Sequence, residues 1–352
     1  MIGMDAGTNA QETFIDLRSD TTTQPTAAMR EAMFRAEVGD DTLGDDPTVR
    51  ELEALAADMC GMEAGLLCPS GMMANGLALR LLTRPGDRVL CMQQHMVGSG
   101  LLGMTSLTPS FLPVEDGHLV LSEVSEAIAR ASRLTHSALC VENTHNGSGG
   151  TVMSVEEMNT VAGLAENKGL PLYLDGARVF NAAVALDVPA SELVSPAVLA
   201  MFCLSKGLSA PVGSMLVGRG DLIDRARELR HLLGGSMRQA GIIAAAGIVA
   251  LKEMVTRLDV DHANAAKLAA GLGSLPCVEL ENPSHIDTNI VFFKAKPPWT
   301  NKGLVSKLAE KQVLMLVLGT RIRAVTHRHI CEKDVNTLVE TLKEIVHDER
   351  PA

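Results

Sequence analysis

Basic residues are too few in this sequence to balance the acidic ones. Lysine and arginine together number 31 against 42 aspartates and glutamates, which gives a formal net charge of −11 at pH 7. Because no cluster of lysine and arginine offsets this charge, we expect no nucleic-acid partner. A long hydrophobic run is also missing. The longest one, residues 240–251, is too short and too rich in glycine and alanine to cross a bilayer.

The sequence also lacks the patterns of a targeting signal and of a disulfide framework. The first 13 residues contain two acidic side chains and do not have the basic-then-apolar order of a signal peptide. The cysteines form no CxxC pair, and most lie within apolar runs, at positions 60, 68, 91, 140, 203, 277 and 331. Such cysteines are typical of small buried side chains in a reducing compartment. We therefore expect a cytosolic protein with no metal site and no membrane partner.

The chain is long enough to bury a large core. It has 352 residues, of which 46% are hydrophobic and 21% are charged, and this length favours one large domain with a smaller one. Strand and helix patterns alternate between residues 64 and 217, which predicts an α/β fold with a mainly parallel, helix-covered sheet. A long helical pattern over residues 238–272 is followed by short strands and two helices. We expect an N-terminal arm (1–24), a large domain (25–255) and a small C-terminal α+β domain (256–352).

A lysine follows one of the predicted core strands. The run from Ala200 to Leu204 is continuous and apolar, as in a strand buried on both faces, and it ends abruptly in Ser205, Lys206 and Gly207. A lysine held at the dry end of such a strand can act as a neutral amine that attacks carbonyl groups. The alternative is that the chain leaves the core at this point and Lys206 only contacts water.

Other polar side chains follow neighbouring strand patterns. The carboxyl ends of parallel strands meet at one edge of a sheet, and the crevice outside this edge is the usual ligand site. Several convergent polar groups at such an edge favour a pocket over separate solvated loops. The residues that we expect to share this edge with Lys206 are His95, Glu142, His145, Asp175 and Arg178.

This set of residues predicts a cofactor. A lysine that forms a Schiff base and an aspartate that keeps a pyridine nitrogen protonated are the two protein groups that pyridoxal 5'-phosphate (PLP) needs. Ser70 and Gly71 precede a helix that begins near Met72, and a helix N-terminus with a hydroxyl group is a ready site for a phosphate. Ser70 could equally be a plain helix cap.

A series of short blocks extends this interpretation over most of the chain. In order, the blocks are Asp16–Thr21, Val38–Asp41, Asp45–Thr48, Glu142–Asn146, Asp175–Asn181, Cys203–Gly207, Pro211–Ser214, Met237–Gly241 and Arg323–His327. With them the sequence resembles the low-specificity L-threonine aldolases, which are PLP-dependent transferase-like enzymes of fold type I. The blocks appear in the order found in that family, which makes the resemblance specific.

The resemblance implies a role for each matching residue. Lys206 would form the Schiff base, Asp175 would pair with the pyridine nitrogen and His95 would stack on the cofactor ring. The phosphate would be held at Ser70, Gly71 and Met72 together with Ser205 and Arg238. The substrate carboxylate would be bound by Ser19, Arg178 and Arg323, since a guanidinium can grip a carboxylate with two hydrogen bonds. His145 would lie near the substrate β-hydroxyl and act as the general base, or orient that hydroxyl, directly or through water.

The implied reaction is a retro-aldol cleavage of a small-molecule amino acid. L-threonine, L-allo-threonine or a related β-hydroxy-α-amino acid would give glycine and an aldehyde. Members of this family are homo-oligomers with sites at subunit interfaces, so the resemblance implies a dimer or a dimer of dimers, that is, a homotetramer. Arg238 could then act in its own site or in that of its neighbour.

The departures from the family pattern fall around the substrate. Met72 stands where the family usually has a threonine, so we expect weaker cofactor binding. Leu43 replaces a tyrosine, and residues 96–100 lack the usual aromatic and acidic side chains, which predicts a more aliphatic pocket. An amino-acid racemase and a β-eliminating lyase therefore remain alternatives on the same scaffold.

An alternative from another class comes from residues 98–103. They match the dinucleotide-binding pattern G-x-G-x-x-G shortly after a predicted strand, as in an NAD-dependent dehydrogenase. A single match of this kind is a weak signal. It also leaves Lys206, Asp175 and Arg178 without a role.

Overall fold

The fold comes from a computed structural model, which describes residues 14–95, 105–131, 137–283 and 285–348. The G-x-G-x-x-G match and the substrate-side departure at residues 96–100 lie outside these ranges. The β-strands of the described residues are β1 (Ile15–Asp16), β2 (Ala64–Cys68), β3 (Arg88–Met92), β4 (Thr108–Leu112), β5 (Val114–Glu115), β6 (His118–Leu119), β7 (Ala138–Glu142), β8 (Leu172–Asp175), β9 (Leu199–Cys203), β10 (Ser214–Gly218), β11 (Val278–Leu280), β12 (Ile290–Ala295), β13 (Val313–Leu314), β14 (Leu316–Leu318) and β15 (Arg321–Val325).

The α-helices lie between and around these strands. They are α1 (Ala27–Arg35), α2 (Pro47–Cys60), α3 (Gly71–Leu82), α4 (Leu121–Arg130), α5 (Val155–Glu166), α6 (Val179–Leu186), α7 (Ala190–Val194), α8 (Gly220–Leu232), α9 (Gly241–Val249), α10 (Leu258–Gly273), α11 (Asn301–Glu310) and α12 (Glu332–Asp348).

A seven-stranded sheet forms the centre of the larger part of the fold. Its strand order is β2-β10-β9-β8-β7-β3-β4. The strands β4, β3, β7, β8 and β9 are parallel, and β10 is antiparallel to both of its neighbours. The prediction of a mainly parallel sheet is confirmed. The edge strand β4 was not predicted, because it contains Pro109 and is only partly buried, so its residues lack the pattern of a core strand.

Local sequence signals set several helix ends as predicted. Thr26 caps α1, and its hydroxyl oxygen accepts a hydrogen bond from the Met29 N–H at 3.0 Å. Helix α2 begins at Pro47, whose missing N–H costs nothing in the first turn. The helix ends before Gly61, which has a left-handed φ of 63° that glycine adopts without a steric penalty.

The long helix predicted over residues 238–272 is wrong in one respect. The segment forms two helices, α9 and α10, joined by a π-helical turn at Ala250–Met254 and a 3₁₀ turn at Val255–Arg257. The two helices bury their apolar sides in different cores: α9 packs against α1 and α2 in the core of the large sheet, whereas most of α10 packs in the second core. The irregular turns between them thus lie where the helical segment passes from one core to the other.

The second core is built on a smaller antiparallel sheet. Strands β11, β12, β15 and β14 pair in that order, and α10, α11 and α12 supply much of the apolar packing. This arrangement agrees with the α+β pattern read from the sequence. The predicted domain boundaries themselves stay predictions.

The N-terminal arm joins this second core to the central sheet. Strand β1 pairs with β13, and Leu17 is fully buried in the second core. The extended segment predicted over Phe14–Thr23 is interrupted by a 3₁₀ turn at Asp20–Thr22, because the Ser19 hydroxyl accepts from the Thr21 N–H and caps the turn. The Thr23 hydroxyl then donates to the backbone oxygen of Lys206 at 2.9 Å.

The cysteines lie where the apolar runs predict them. Six of the seven are buried, and Cys331 is exposed. Among the helices that the structure describes, none has both the length and the apolar character needed to cross a membrane.

Candidate active site

The carboxyl ends of β3, β7, β8 and β9 meet at one edge of the central sheet. Glu142, the last residue of β7, is in register with Asp175, the last residue of β8. Asp175 is in turn in register with Met201 of β9, five residues before Lys206. His95 follows β3 and is fully buried. The charges of His95, Asp175 and Lys206 all act on the carboxyl of Glu142, so the predicted convergence of these residues is observed.

Asp175 is held rigidly and has no cation as a hydrogen-bond partner in the described part of the chain. It is 1% exposed, and its Oδ1 accepts a hydrogen bond from the Ala177 N–H at 3.1 Å. Its Oδ2 accepts from the Asn75 side chain, also at 3.1 Å. The Asn75 side-chain oxygen accepts from the Tyr173 hydroxyl, which completes a buried chain of hydrogen bonds. The carboxylate is therefore oriented by neutral donors, which leaves its charge to be balanced by a cationic group.

Lys206 is held by hydrogen bonds at its backbone, whereas its side-chain amine makes none to the described residues. The Lys206 carbonyl accepts from the Thr23 hydroxyl at 2.9 Å and from the Ser209 N–H at 2.8 Å. Within the described residues, Nζ makes no hydrogen bond and no ion pair. The lysine is partly buried, and its charge favours the ionised form of Asp20 and of Glu142. The predicted position of Lys206 at the sheet edge is thus observed, with an amine available for reaction.

The N-terminus of α3 lies directly against the end of β9. Ser70 caps the helix, and its Oγ accepts from the Met73 N–H at 3.2 Å. A Cβ on Gly71 would lie 3.0 Å from Cε of Met201 and 3.1 Å from the Cys203 sulfur, so a larger residue would have to displace these side chains of β9. The first N–H groups of a helix have no partner within it, so those of Gly71 and Met72 can bind an anion. Ser205 is partly buried at the end of the same strand.

Arg238 is not brought to this helix end by any ion pair. Its side chain is 66% exposed, and its guanidinium pairs with Asp40 at 2.9 Å. Among the described residues, this is its one ion pair. The predicted contact of Arg238 with a phosphate in its own site is therefore without support from the side-chain geometry.

Two arginines converge on one amide oxygen near the same edge. Nη1 of Arg178 and Nη1 of Arg323 each donate to Oδ1 of Asn146 at 3.3 Å. Asp20 accepts two further hydrogen bonds from Arg178, at 2.6 and 2.7 Å. Burial and then the charge of Arg178 lower the pKa of Arg323, and the charge of Asp20 opposes them. Two guanidinium groups that share one amide oxygen form an arrangement that can bind a carboxylate.

Ser19 lies beside this pair on the N-terminal arm. The backbone oxygen of its neighbour Arg18 accepts a hydrogen bond from Arg323 at 3.1 Å. The Ser19 hydroxyl itself accepts from the Thr21 N–H at 3.2 Å and donates to Oδ1 of Asp20 at 3.4 Å. The three predicted carboxylate-binding residues, Ser19, Arg178 and Arg323, are thus held close together.

His145 has a protein partner at both ring nitrogens. Nε2 lies 2.9 Å from the Gln93 carbonyl oxygen, and because a carbonyl only accepts, Nε2 carries the hydrogen. Nδ1 therefore accepts from the Ser148 hydroxyl, at 2.8 Å. Burial lowers the pKa of His145, with a smaller contribution from the charge of Arg321. The imidazole is thus neutral at pH 7, and its one accepting nitrogen is covered by Ser148.

Buried polar atoms without a partner are concentrated around this edge. Six such side-chain atoms occur in the part of the chain that the structure describes, and all except Arg230 Nε lie on segments that border the site. Buried polar atoms are nearly always hydrogen-bonded in native proteins, so this concentration indicates a polar ligand. The bordering atoms are Glu142 Oε2, Thr144 Oγ1, Ser214 Oγ, Asn289 Oδ1 and Arg323 Nε.

Sequence reasoning did not assign a role to Asp20, Asn75 or Asn146. Asn75 is a polar residue within a run of α3 that is otherwise small and apolar, and this burial pattern is the signal that could have revealed it. Asp20 and Asn146 lie inside the blocks quoted above, but their partners are distant in sequence.

Comparison with known proteins places this fold and site in an established group. The profile of the beta-eliminating lyase family matches residues 16–296. Low-specificity L-threonine aldolase 1 of Arabidopsis thaliana is 40% identical over 336 residues, which cover 92% of this chain and 93% of that protein. The chain spans nearly the full length of this relative.

Solved structures show the same fold at lower identity. The threonine aldolase of Leishmania major superimposes with a TM-score of 0.80 at 20% identity, covering 94% of this chain and 99% of that one. A structure of SPT with PLP as an internal aldimine superimposes with a TM-score of 0.74 at 16% identity, covering 95% and 87%.

The likeness to these structures shows that the chain has the fold type I α/β architecture. More narrowly, the profile match and the identity to the plant enzyme show that the chain belongs to the beta-eliminating lyase family, among the low-specificity L-threonine aldolases.

The buried pair of Asp20 and Arg178 predicts a pH-dependent stability. Burial alone would raise the pKa of Asp20, but the charge and hydrogen bonds of Arg178 outweigh it and hold the pKa well below its usual value. The pair therefore contributes stability above about pH 4, the pKa of an unfolded aspartate, and loses it as the pH falls further. Asp20→Asn should lower the free energy of unfolding at pH 7 by about 3 kcal/mol, because Arg178 would remain buried and uncompensated.

Urea unfolding of both proteins between about pH 7 and pH 3 measures this difference. It should shrink as the pH falls below about 4, because the unfolded wild type then binds a proton at Asp20 that the native state does not. Asp221→Asn, which breaks an exposed pair with Arg219, is the control and should change the stability by less than about 0.5 kcal/mol. A difference for Asp20→Asn that is constant with pH would contradict the ion-pair account.

Proposed function

We propose that this protein catalyses the PLP-dependent retro-aldol cleavage of β-hydroxy-α-amino acids, such as L-threonine or L-allo-threonine, to glycine and an aldehyde. The observation that carries the proposal is the arrangement at the sheet edge. There the amine of Lys206 and the carboxylate of Asp175 lie beside a pair of arginines that share one amide oxygen. The names of its relatives support the same activity.

The residues at the edge fit PLP. Asp175 is oriented to pair with a pyridinium nitrogen, and the described residues supply no hydrogen-bond or ion-pair partner to the Lys206 amine. His95 would lie against the ring, and Ser70, Gly71, Met72 and Ser205 would hold the phosphate at the start of α3. When bound, PLP supplies an electron sink that accepts the electron pair of a broken bond at Cα. Met72 adds no hydroxyl to the phosphate site, so we propose that this protein binds PLP more weakly than relatives with a threonine at that position.

The remaining residues bind and orient the substrate. Arg323 and Arg178 with Ser19 would bind the α-carboxylate, and this fixes the direction of the other substituents on Cα. Two of the Arg178 nitrogens are already used by Asp20, whereas Arg323 has a buried Nε without a partner. Arg323 is therefore the main carboxylate ligand in this proposal.

His145 is proposed to act near the substrate β-hydroxyl. Its imidazole is neutral at pH 7 and has one lone pair, at Nδ1, which points to the Ser148 hydroxyl. It can accept a proton when that hydroxyl turns away, or orient the substrate through Ser148 without leaving its position.

A second copy of the chain is proposed to complete the protein. Exposed apolar side chains lie on the elements around the loop that precedes α2 and at the end of α8. Leu43 is 75% exposed and Leu232 is 79% exposed. Arg238 extends from a nearby loop with 66% of its side chain exposed. We propose that this surface is an interface in a homo-oligomer and that Arg238 reaches the phosphate site of a neighbouring subunit.

Product analysis with a panel of amino acids tests the proposed reaction. Purified protein should take up PLP and convert L-threonine, L-allo-threonine or L-phenylserine to glycine and the matching aldehyde. D-alanine formed from L-alanine without cleavage would instead indicate a racemase. A 2-oxo acid and ammonia from L-serine would indicate β-elimination. An NAD-dependent absorbance change without PLP uptake would indicate a dehydrogenase.

The variant Lys206→Ala tests in the same assay whether Lys206 binds the cofactor. The variant should lose both the visible absorbance of bound cofactor and the turnover. Lys252→Ala removes an exposed lysine paired with Glu51 and should leave both unchanged. Normal turnover in Lys206→Ala would contradict the proposal.

A conservative change at Arg323 tests the carboxylate site. Arg323→Lys keeps the positive charge but removes the planar fork, so KM for the amino acid should rise by about 30- to 100-fold with a much smaller change in kcat. Steady-state kinetics measures both constants. Arg328→Lys, at a partly buried arginine whose side chain donates to the Gln24 carbonyl, should leave KM within about twofold of wild type. An equal rise in both variants, or none, would contradict the assignment.

Light scattering of the purified protein tests the proposed oligomer. The molar mass should be a multiple of the 37.3 kDa of one chain. Leu43→Lys together with Leu232→Lys should shift the mass toward that of the monomer, because it places charges in an apolar interface. A monomeric wild-type protein would contradict the proposal.

A further inference from the structure

Glu142 is a second buried carboxyl at the proposed cofactor site. It ends β7 in register with Asp175 at the end of β8, so both side chains leave the same face of the sheet at neighbouring positions. Glu142 is 5% exposed and Asp175 is 1% exposed. Two carboxyls this close and this well buried are costly to ionise together.

Only one of the two oxygens of Glu142 is used by the fold. Oε1 accepts a hydrogen bond from the Asn146 N–H at 3.0 Å and so holds the start of the loop that carries His145. Oε2 is buried and has no hydrogen-bond partner among the described residues. An unsatisfied buried oxygen costs about 1–3 kcal/mol, so Oε2 is expected to have a partner that the described residues do not supply.

Four charged or titratable groups face Glu142 from other elements. Asp175 faces it from β8, His95 from the segment after β3 and Lys206 from the segment after β9, and Arg178 interacts with it from the start of α6. Burial and then the charge of Asp175 raise the pKa of Glu142 to about 7, against the opposing effect of His95. Near neutral pH this carboxyl therefore takes up a proton more readily than an ordinary glutamate does.

The other buried carboxyl groups of the site, and His145, already have hydrogen-bond partners at each polar atom. Both oxygens of Asp175 accept hydrogen bonds from Asn75 and Ala177. Asp20 is saturated by Arg178, and both ring nitrogens of His145 have partners. Among the buried carboxyl groups of the described site, Glu142 is the one with an unused oxygen.

We propose that Glu142 is a further acid–base residue of the cofactor site and that its Oε2 exchanges a proton with the bound cofactor. With PLP bound, Oε2 would release one proton to a heteroatom of the cofactor or take it back, and no other reactant would be needed. Two carboxyls, and not Asp175 alone, then set the protonation of the cofactor. The proposal rests on the proposed function, because it requires that PLP binds at this edge.

The pH dependence of the visible absorbance of bound PLP tests the proposal. An ionised Glu142 favours the protonated, more cationic form of the cofactor. Glu142→Gln keeps an oxygen for the Asn146 N–H but removes this charge, so the midpoint of the absorbance change should move to lower pH by about one unit. The kcat for amino-acid cleavage should fall on the order of 10²-fold. Glu142→Asp keeps an ionisable carboxyl, so the midpoint of its absorbance change should lie close to that of the wild type.

Glu156→Gln is the control, because it removes an exposed carboxylate on α5 and should leave the midpoint unchanged. A second measurement uses the wild-type protein alone. Infrared difference spectra of glutamate-labelled holoenzyme between about pH 6 and pH 8 should show a protonated carboxyl that is lost as the pH rises. An unchanged midpoint in Glu142→Gln, or the absence of this infrared signal, would overturn the proposal.

The outcomes separate this inference from the proposed function. If the wild type takes up no PLP, the proposed function is wrong and this inference is wrong with it. If the wild type binds PLP and cleaves L-threonine while Glu142→Gln has the wild-type midpoint, the function stands and only the role of Glu142 is refuted.

Discussion

The parallel pairing of β7, β8 and β9 is the constraint on which the site depends. Because these strands are in register at their carboxyl ends, Glu142 and Asp175 leave the sheet side by side, and Lys206 follows from the next strand. The close approach of α3 to β9 at Gly71 then brings a helix N-terminus to the same edge. The two carboxyl groups, the amine and the helix N-terminus are thus positioned by the same backbone hydrogen bonds that hold the core together. A loop could not fix so many groups with the same precision.

The N-terminal arm adds the substrate side of this arrangement. Leu17 anchors the arm in the second core, and Asp20 extends from it into the large sheet to hold Arg178. Arg323 comes from β15 of the small sheet, so the two arginines that share Asn146 belong to different cores. A site assembled in this way depends on how the two cores pack, and the buried ion pair of Asp20 and Arg178 is one of the contacts that join them.

Much of the fold could be predicted from the sequence because its signals are local. Thr26, Pro47 and Gly61 act within one turn of their own helices, and the polar residues at strand ends follow directly from apolar runs. The helix break at residues 250–257 could not be predicted, since it depends on which core each half packs against. Asn75 donates to Asp175 across 100 residues and Arg178 donates to Asp20 across 158, and a sequence pattern contains no record of such pairs. The same holds for Glu142, whose unused oxygen is visible only once its neighbours are in place.

The central claim is that Lys206 is the residue that bonds the cofactor. Borohydride reduction of PLP-treated protein, followed by peptide mass spectrometry, tests it most directly, because reduction makes a Schiff base permanent. The account predicts one pyridoxyl group per chain, on the peptide that contains Lys206. A group on a different lysine, or none on any peptide, would contradict it.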